Sequence, residues 1–412
     1  MPESFAPDES GAETSAQSLA DNNAGSEDDV SSTTSNSRLL PFPLVAIGGS
    51  AGGVEAYIEL FQHLPADTGM AFIVVSHLAP GQKSHLVEIL ASRTRIPVTE
   101  IENQTRPEPN HVYVLPPNAG LAIRGGILEL LPRTEQRPNT VIDDFFRSLA
   151  ADQKNRTIGV VLSGMDSDGA LGLKTIKGEG GIAIVQAPES AKYPSMPRSS
   201  IGADHVDMVL APADIAEELA RVGSQFSRPE LFSLEEGQAP DGQQQQFVRI
   251  LNLLSSVSGV DFRGYKPATL QRRIARRMLL KRFEVLAEYL RFLQLHPEEL
   301  QELHEDVLGG VTRFFRDPDV FNVLKSDILP RILENWDPSQ QVRMWVAGCS
   351  TGEEVYSIAI CLLEHLSGEP LEPPLQIFGT DASETSIQRA RFGVFPETIS
   401  ADVSPERLRR SL

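Results

Sequence analysis

The sequence predicts an α/β protein built on a doubly wound, mostly parallel sheet, followed by a small all-α domain and an incomplete second α/β segment. Three observations carry this. Between residues 41 and 225, short aliphatic runs alternate with amphipathic stretches, the pattern of strands joined by crossover helices. Between 246 and 336 the apolar residues keep helical spacing with little interruption. From 337 to 412 the strand, turn and helix alternation resumes.

Each region follows from its residues. Positions 1–40 are rich in Ser, Asp, Glu, Asn, Ala and Gly, too poor in large apolar groups to offset chain entropy, and are expected to be disordered. In the first domain, "LVAIGG", "AFIVVSH", "HVYVLP", "TIGVVLSG", "GIAIVQ" and "HVDMVL" read as strands. "GVEAYIELFQHL", "KSHLVEILASRT", "VIDDFFRSLAADQ" and "ALGLKTIKGEG" read as helices, and "GLAIRGGILELLP" as a hairpin turning at Gly125-Gly126. Residues 226–245, with Pro, Gly and a Gln run, read as a linker. Helices then follow in "FVRILNLLSSVSG", "TLQRRIARRMLLKR", "FEVLAEYLRFLQLH" and "DVFNVLKSDILPRILENW". In the last segment, "QVRMWVAGCSTGEEVYSIAICLLEHL" is a strand, a glycine-bearing turn and a helix, and "LQIFGTDAS" is a second strand ending on an acid.

Composition narrows the function. The chain has 412 residues and a net charge of −19, which argues against nucleic acid as its main partner. Cys349 and Cys361 are its two cysteines, giving neither a disulfide framework nor a zinc-finger spacing, so a reducing cytoplasm is expected. The N-terminus lacks a basic and an apolar signal region, and no apolar run reaches bilayer length, so membrane insertion is not expected.

Three strands of the first domain end on residues suited to acyl transfer: Ser50 after "LVAIGG", His77 after "FIVVS", and Asp166 or Asp168 after "IGVVLSG". Strand carboxyl ends are where open parallel sheets place their sites. A serine becomes a nucleophile when an imidazole takes its proton and a carboxylate holds that imidazole. Gly48 and Gly49 are expected to give a sharp turn of unusual dihedrals. Gly52 and Gly53 let the next helix start close by, which makes the Ala51 amide a candidate oxyanion donor, and "SGMDSDG", a second glycine-flanked turn, offers the amide of Met165. The alternative is an anion-binding turn at a helix N-terminus, although "GGSAGG" has a serine where a dinucleotide fingerprint needs its second glycine.

"VAIGGSAGGVEA", "VVSHLAP", "VLSGMDSDGALGL" and "YPSMPRSSI" resemble the catalytic domain of the chemotaxis protein-glutamate methylesterase. The resemblance implies Ser50 as nucleophile, His77 as base, Asp168 rather than Asp166 as orienting acid, and Met165 at the oxyanion hole. It implies hydrolysis of glutamate γ-methyl esters on receptor helices with release of methanol, deamidation of glutamine as a related activity, and no cofactor for the esterase. Stand-alone members carry an N-terminal receiver domain. Here some forty residues expected to be disordered precede the esterase text, so phospho-control is expected from separate signalling kinase or receiver proteins, or not at all.

"YKPATLQRRIARRMLLKR" is a cationic helix in an acidic chain. Leu270, Ile274 and Met278 line one face. Arg272 with Arg276, and Arg273 with Arg277, are like-charged i,i+4 pairs that repel by a few tenths of a kcal/mol. This cluster reads as a dock for an acidic partner, as a solvated face, or as the complement of acids such as those of "EELQELHED". In the last segment, "MWVAGCSTGEE" is a turn a nucleoside can approach, and Asp381 stands where a carboxylate can accept ribose hydroxyls.

"GYKPATLQRRIARRM", "GGVTRFFRDPDVF", "WVAGCSTGEEVYSIA", "GTDAS" and "ARFGVFPETI" resemble the chemotaxis receptor glutamate O-methyltransferase, a Rossmann-like enzyme. The resemblance implies S-adenosylmethionine contacts from Thr312, Arg316, Glu354 (with Glu353 its neighbour) and Asp381. It also implies receptor docking by Arg272, Arg273, Arg276 and Arg277, against methyl-accepting chemoreceptor helices. Gly310 stands where the family often has asparagine. A complete enzyme of this kind has about seven strands and this segment about two, so little methyl transfer is expected from it. A receptor- or signalling-protein-binding module without esterase activity is the competing reading of the whole.

Overall fold

The structure is a computed structural model that describes residues 39–77, 85–132, 140–203, 206–226, 241–310, 312–334, 336, 340–366, 375–395, 399–400 and 402–411. The disorder expected for residues 1–40 falls, as far as residue 38, outside the described residues, as do 227–240 of the expected linker.

Chain order in the first domain is β1 Leu44–Gly49, α1 Gly53–His63, β2 Ala71–Ser76, α2 Leu86–Ala91, β3 Val98–Glu100, β4 His111–Val114, β5 Ala119–Arg124, β6 Ile127–Pro132, α3 Val141–Gln153, β7 Thr157–Val161, α4 Ala170–Gly178, β8 Ile182–Gln186, α5 Ser195–Gly202, β9 Met208–Leu210 and α6 Pro212–Phe226. Seven strands pair in the order β3-β4-β2-β1-β7-β8-β9, and each pairing is parallel. Strand order departs in both directions from β1, which makes its carboxyl end the switch point of the sheet.

Side chains alternate across the sheet, as the pleat requires. Val45 and Ile47 pack with Tyr57, Leu60 and Phe61 of α1 and Leu219 and Val222 of α6. Leu44 and Ala46 face the other way, onto Ile142, Phe145, Phe146 and Leu149 of α3 and Leu173 and Ile176 of α4. Antiparallel β5 and β6 turn at Gly125 and Gly126, both at positive φ (58° and 76°), so the expected hairpin is present. The main-chain entry into the domain is also fixed: the Leu40 amide donates to Gln153 Oε1 at 2.8 Å.

The helical region comprises α7 Asp241–Ser258, α8 Pro267–Leu280, α9 Leu286–Leu295 and α10 Pro297–Leu308. Helix α7 starts within the stretch read as linker, because glutamine is a good helix former and the run 243–246 simply extends the amphipathic helix behind it. Leu270, Ile274 and Met278 face a common core with Phe247, Leu254, Tyr289 and Leu303.

The last segment holds α11 Pro318–Val323, a π-helical turn Leu324–Ile328, α12 Leu329–Leu333, β10 Val342–Ala347, α13 Glu353–Leu366, β11 Leu375–Thr380, α14 Glu384–Phe392 and α15 Pro405–Ser411. The one continuous helix expected over 319–336 is interrupted by that π turn. Pro330, at the start of α12, has no amide to donate and its ring crowds the preceding turn, which is relieved by a change of register. Strands β10 and β11 pair in parallel, and Trp345 on β10 is 72% exposed.

Candidate active site and cofactor cleft

Parallel pairing sets Gly49 beside Ser76, so the chain leaves two adjacent strands with Ser50 and His77 as neighbours. The His77 amide donates to the Gly49 carbonyl at 3.3 Å, and the Ser50 amide donates to Ser163 O, beyond β7, at 2.9 Å. Three strand ends therefore meet at Ser50. The expectation that Gly48 and Gly49 form the turn is corrected. They are the last residues of β1, without positive φ, and are kept small because a Cβ there would press on Ile142 or the Tyr57 hydroxyl. The turn itself uses Gly52, at φ 70°, where a Cβ would also lie 2.9 Å from Lys192, Ser163 and Tyr193.

His77 Nε2 hydrogen-bonds Asp168 Oδ2 at 2.7 Å, with side-chain exposures of 6% and 2%. Its Nδ1 is buried and unpartnered among the described residues. That is the geometry of an imidazole held through Nε2 by a carboxylate, with Nδ1 left without a partner among the described residues. Asp168, the acid that the resemblance implies, is the one buried and bonded to His77, whereas Asp166 is exposed.

Asp168 is tightly held. Its Oδ2 also accepts the Ile142 amide (2.9 Å) and its Oδ1 the Asp143 amide (2.9 Å), both from the first turn of α3, where free N–H groups favour an anion. Asp143 returns the arrangement: its Oδ1 accepts from Gly169 at 3.0 Å and Gly172 at 2.6 Å, at the start of α4. Burial, then the charge of Asp168, push the Asp143 carboxyl well above the usual range. Sequence reading missed Asp143, which in "VIDDFF" looks like an ordinary first-turn acid. It also missed Ser163, whose Oγ donates to Ala51 O (3.0 Å) and accepts the Tyr193 amide (3.0 Å), tying the Ser50 turn to two others.

Ala51 and Met165 flank this meeting point on separate turns. Their amides enter no turn or sheet hydrogen bond among the described residues, and the Met165 side chain is 59% exposed. Gly164 between them cannot carry a Cβ, which would collide with the Met196 sulfur and lie 3.1 Å from Ser50 Cβ.

Thr312, Arg316, Glu354 and Asp381, named from the sequence, line one cavity of about 620 Å³ together with Leu308, Phe321, Leu324 and Ile358. Gly310 lines it as well. Asp381 accepts the amides of Ser350 (2.8 Å) and Ser383 (2.8 Å), which fixes its carboxylate at the end of β11. Glu354 lines this cavity, whereas its neighbour Glu353 is buried and bonded to Lys174 (2.9 Å) and Thr351 (2.5 Å). An apolar wall with carboxylates and a guanidinium at its rim fits an adenosine bearing an amino-acid tail.

The cationic helix is placed otherwise than the docking expectation requires, and that expectation is corrected for three of its four arginines. Arg276 is 2% exposed; it donates to Gly181 O at 2.8 Å and pairs with Asp207 and Asp306. Arg273, also buried, donates to carbonyls of Lys177 (2.8 Å), Gly178 and Gly309 (3.1 Å), the orphan acceptors at two helix ends. Arg277 forks onto Glu299 at 2.9 and 2.6 Å. The acids of "EELQELHED" and the backbone of the first domain take these charges, as burial demands. Arg272 is half-buried and reaches Thr269 at 3.4 Å.

Fold and site geometry together define an α/β protein with Ser50, His77 and Asp168 gathered at the switch point of its sheet and a mixed polar and apolar cleft in a second segment. Comparison with known proteins makes this specific. The family model "CheB methylesterase" matches residues 45–219. "CheR methyltransferase, all-alpha domain" matches 245–308 and "CheR methyltransferase, SAM binding domain" matches 310–412. A putative protein-glutamate methylesterase/protein-glutamine glutaminase of Leptospira interrogans is 36% identical over 187 residues, 44% of this chain and 96% of the relative. An uncharacterized 104.1 kDa protein in the hypE 3' region of Rhodobacter capsulatus is 34% identical over 345 residues, 79% of this chain; the match spans 36% of that relative's length. The crystal structure of the Thermotoga maritima CheB methylesterase catalytic domain is matched over 44% of this chain and 98% of that one, at 29% identity and a TM-score of 0.41. The chain belongs to the CheB methylesterase family, and the CheR-type regions follow in the same polypeptide.

Proposed function

We propose that this protein hydrolyses glutamate γ-methyl esters on the cytoplasmic helices of chemoreceptors, and glutamine amides at equivalent positions, with Ser50 as nucleophile. The observation that carries the reading is the buried His77–Asp168 bond at 2.7 Å beside Ser50, with Nδ1 of His77 free among the described residues. Ser50 Oγ gives its proton to Nδ1 as it attacks the ester carbonyl. Asp168 holds the ring and stabilises its charge. Amides of Ala51 and Met165 receive the oxyanion. The proton on Nδ1 passes to departing methanol, and water repeats the sequence to free Ser50 and glutamate.

The second segment binds S-adenosylmethionine through Asp381 toward the ribose, Glu354 and Thr312 at the rim, and Arg316 toward the carboxylate tail; bound there, the cofactor supplies an electrophilic methyl group. Joining both regions in one chain raises their effective concentration at a shared receptor. The test of the esterase reading is methanol release from methylated receptor fragments. Wild type should exceed Ser50→Ala and His77→Ala by about ten-thousandfold; equal rates in the three would end it.

A further inference from the structure

Asp143 lies outside the Ser50–His77–Asp168 set, yet its carboxyl holds the amide of the residue that follows Asp168, and its own amide donates to the Asp168 carboxylate. It is 3% exposed. Its Oδ1 accepts the amides of Gly169, at 3.0 Å, and Gly172, at 2.6 Å. Gly169 directly follows Asp168 in the chain, at φ 99°, a conformation open to glycine. In the opposite direction the Asp143 amide donates to Asp168 Oδ1 at 2.9 Å, beside the Ile142 amide on Oδ2 at 2.9 Å. Two helix N-termini thus exchange acids: Asp168, ahead of α4, caps α3, and Asp143, in the first turn of α3, caps α4. A side chain that only ended a helix would close one of these contacts. This pair closes both, and one member carries His77 on its remaining oxygen at 2.7 Å.

We propose that Asp143 is a positioning residue for the esterase: its carboxyl oxygen anchors the Gly169–Gly172 turn, and that anchor sets where Asp168 meets His77. The inference rests on the reading of Asp168 as the acid that orients the catalytic base. Asp143 faces Asp168 across the exchange and Arg147 along its own helix. Burial and the Asp168 charge disfavour its ionised form, so a neutral amide of the same shape is the conservative replacement, since it keeps the accepting oxygen.

The test uses the full chain with ¹⁵N-labelled histidine and methylated receptor fragments as substrate. Asp143→Ser, too short to reach both amides, should lower kcat by about tenfold to a hundredfold with KM unchanged. The downfield Nε2–H resonance of His77, which reports its bond to Asp168, should move upfield or broaden. Asp143→Asn should restore kcat to within about threefold of wild type and restore the resonance. Should Asp143→Ser not fold, Asp143→Glu, which keeps the carboxylate but displaces it by one methylene, is read in the same way. Wild-type kcat in Asp143→Ser, or a lost kcat with an unmoved His77 resonance, would overturn the proposal. Wild type no faster than Ser50→Ala would instead overturn ester hydrolysis, and the resonance comparison would still decide the role of Asp143.

Discussion

Replacing Arg276 with methionine tests the packing of the helical region on the esterase domain. The guanidinium, Asp207 and Asp306 have side-chain exposures of 1%, 3% and 5%. Methionine keeps most of the volume but leaves Asp306 without its cation and Gly181 O without a donor. Asp207 is better protected, since Lys177 stands at 3.2 Å and the Ala183 amide at 2.9 Å. Asp306 is then left without its ion-pair partner in a buried place, and the expected loss is about 3–5 kcal/mol. Urea unfolding followed by circular dichroism reads this directly. Adding Asp306→Asn to Arg276→Met should recover most of the loss. A single variant within about 0.5 kcal/mol of wild type, or a double variant no better than the single, would refute the account of the interface.

Other outcomes follow from the same geometry. Acidification below about pH 4 should loosen the interface in the wild type. Burial raises the carboxyl of Asp207, but Arg276 and Lys177 outweigh it and hold the group below its ordinary value. A depressed folded pKa contributes stability above the unfolded value that is lost as pH falls through the folded one; unchanged hydrogen exchange in α8 across that range would contradict it. Glu354→Ala should weaken S-adenosylmethionine binding by about tenfold in calorimetry, whereas Glu353→Gln, which touches Lys174 instead of the cavity, should leave affinity intact; the reverse order would reassign the contact. Gly52→Ala, which places a Cβ at φ 70° and 2.9 Å from three side chains, should depress kcat for methanol release by at least tenfold, and wild-type kcat would show that the turn tolerates displacement.

The parts of the fold governed by local periodicity were legible in the sequence. Six of the seven strands of the parallel sheet, the Gly125-Gly126 hairpin and the apolar face of α8 follow from which residues recur at two or four positions; the three-residue edge strand β3, Val98–Glu100, is too short to show such a pattern. The pairing of Ser50 with His77 was legible too, because each is the first residue past a strand and parallel strands in register bring such residues together. What periodicity does not carry is the partner of a polar group. Asp143 and Asp168 find each other through two helix ends 25 residues apart. Arg276 reaches Asp207 across 69 residues; of the three readings of the cationic helix, pairing with the "EELQELHED" acids is the one present, but the joint with the first domain was not foreseen. Asp168 over Asp166, and Glu354 over Glu353, came from the family resemblance rather than from periodicity, because neighbours in sequence do not reveal which of two acids is buried. The π turn at Leu324–Ile328 was foreshadowed only by Pro330.

The central claim is that Ser50 is the attacking group and that His77 makes it so. The most direct measurement is active-site labelling with a fluorophosphonate, located by tandem mass spectrometry, alongside methanol release on the same samples. The account predicts one adduct per chain, on Ser50, with methanol release falling in proportion to labelling, and little or no adduct in His77→Ala. Full labelling of Ser50 with undiminished methanol release, or equal labelling of Ser50 in His77→Ala, would contradict it.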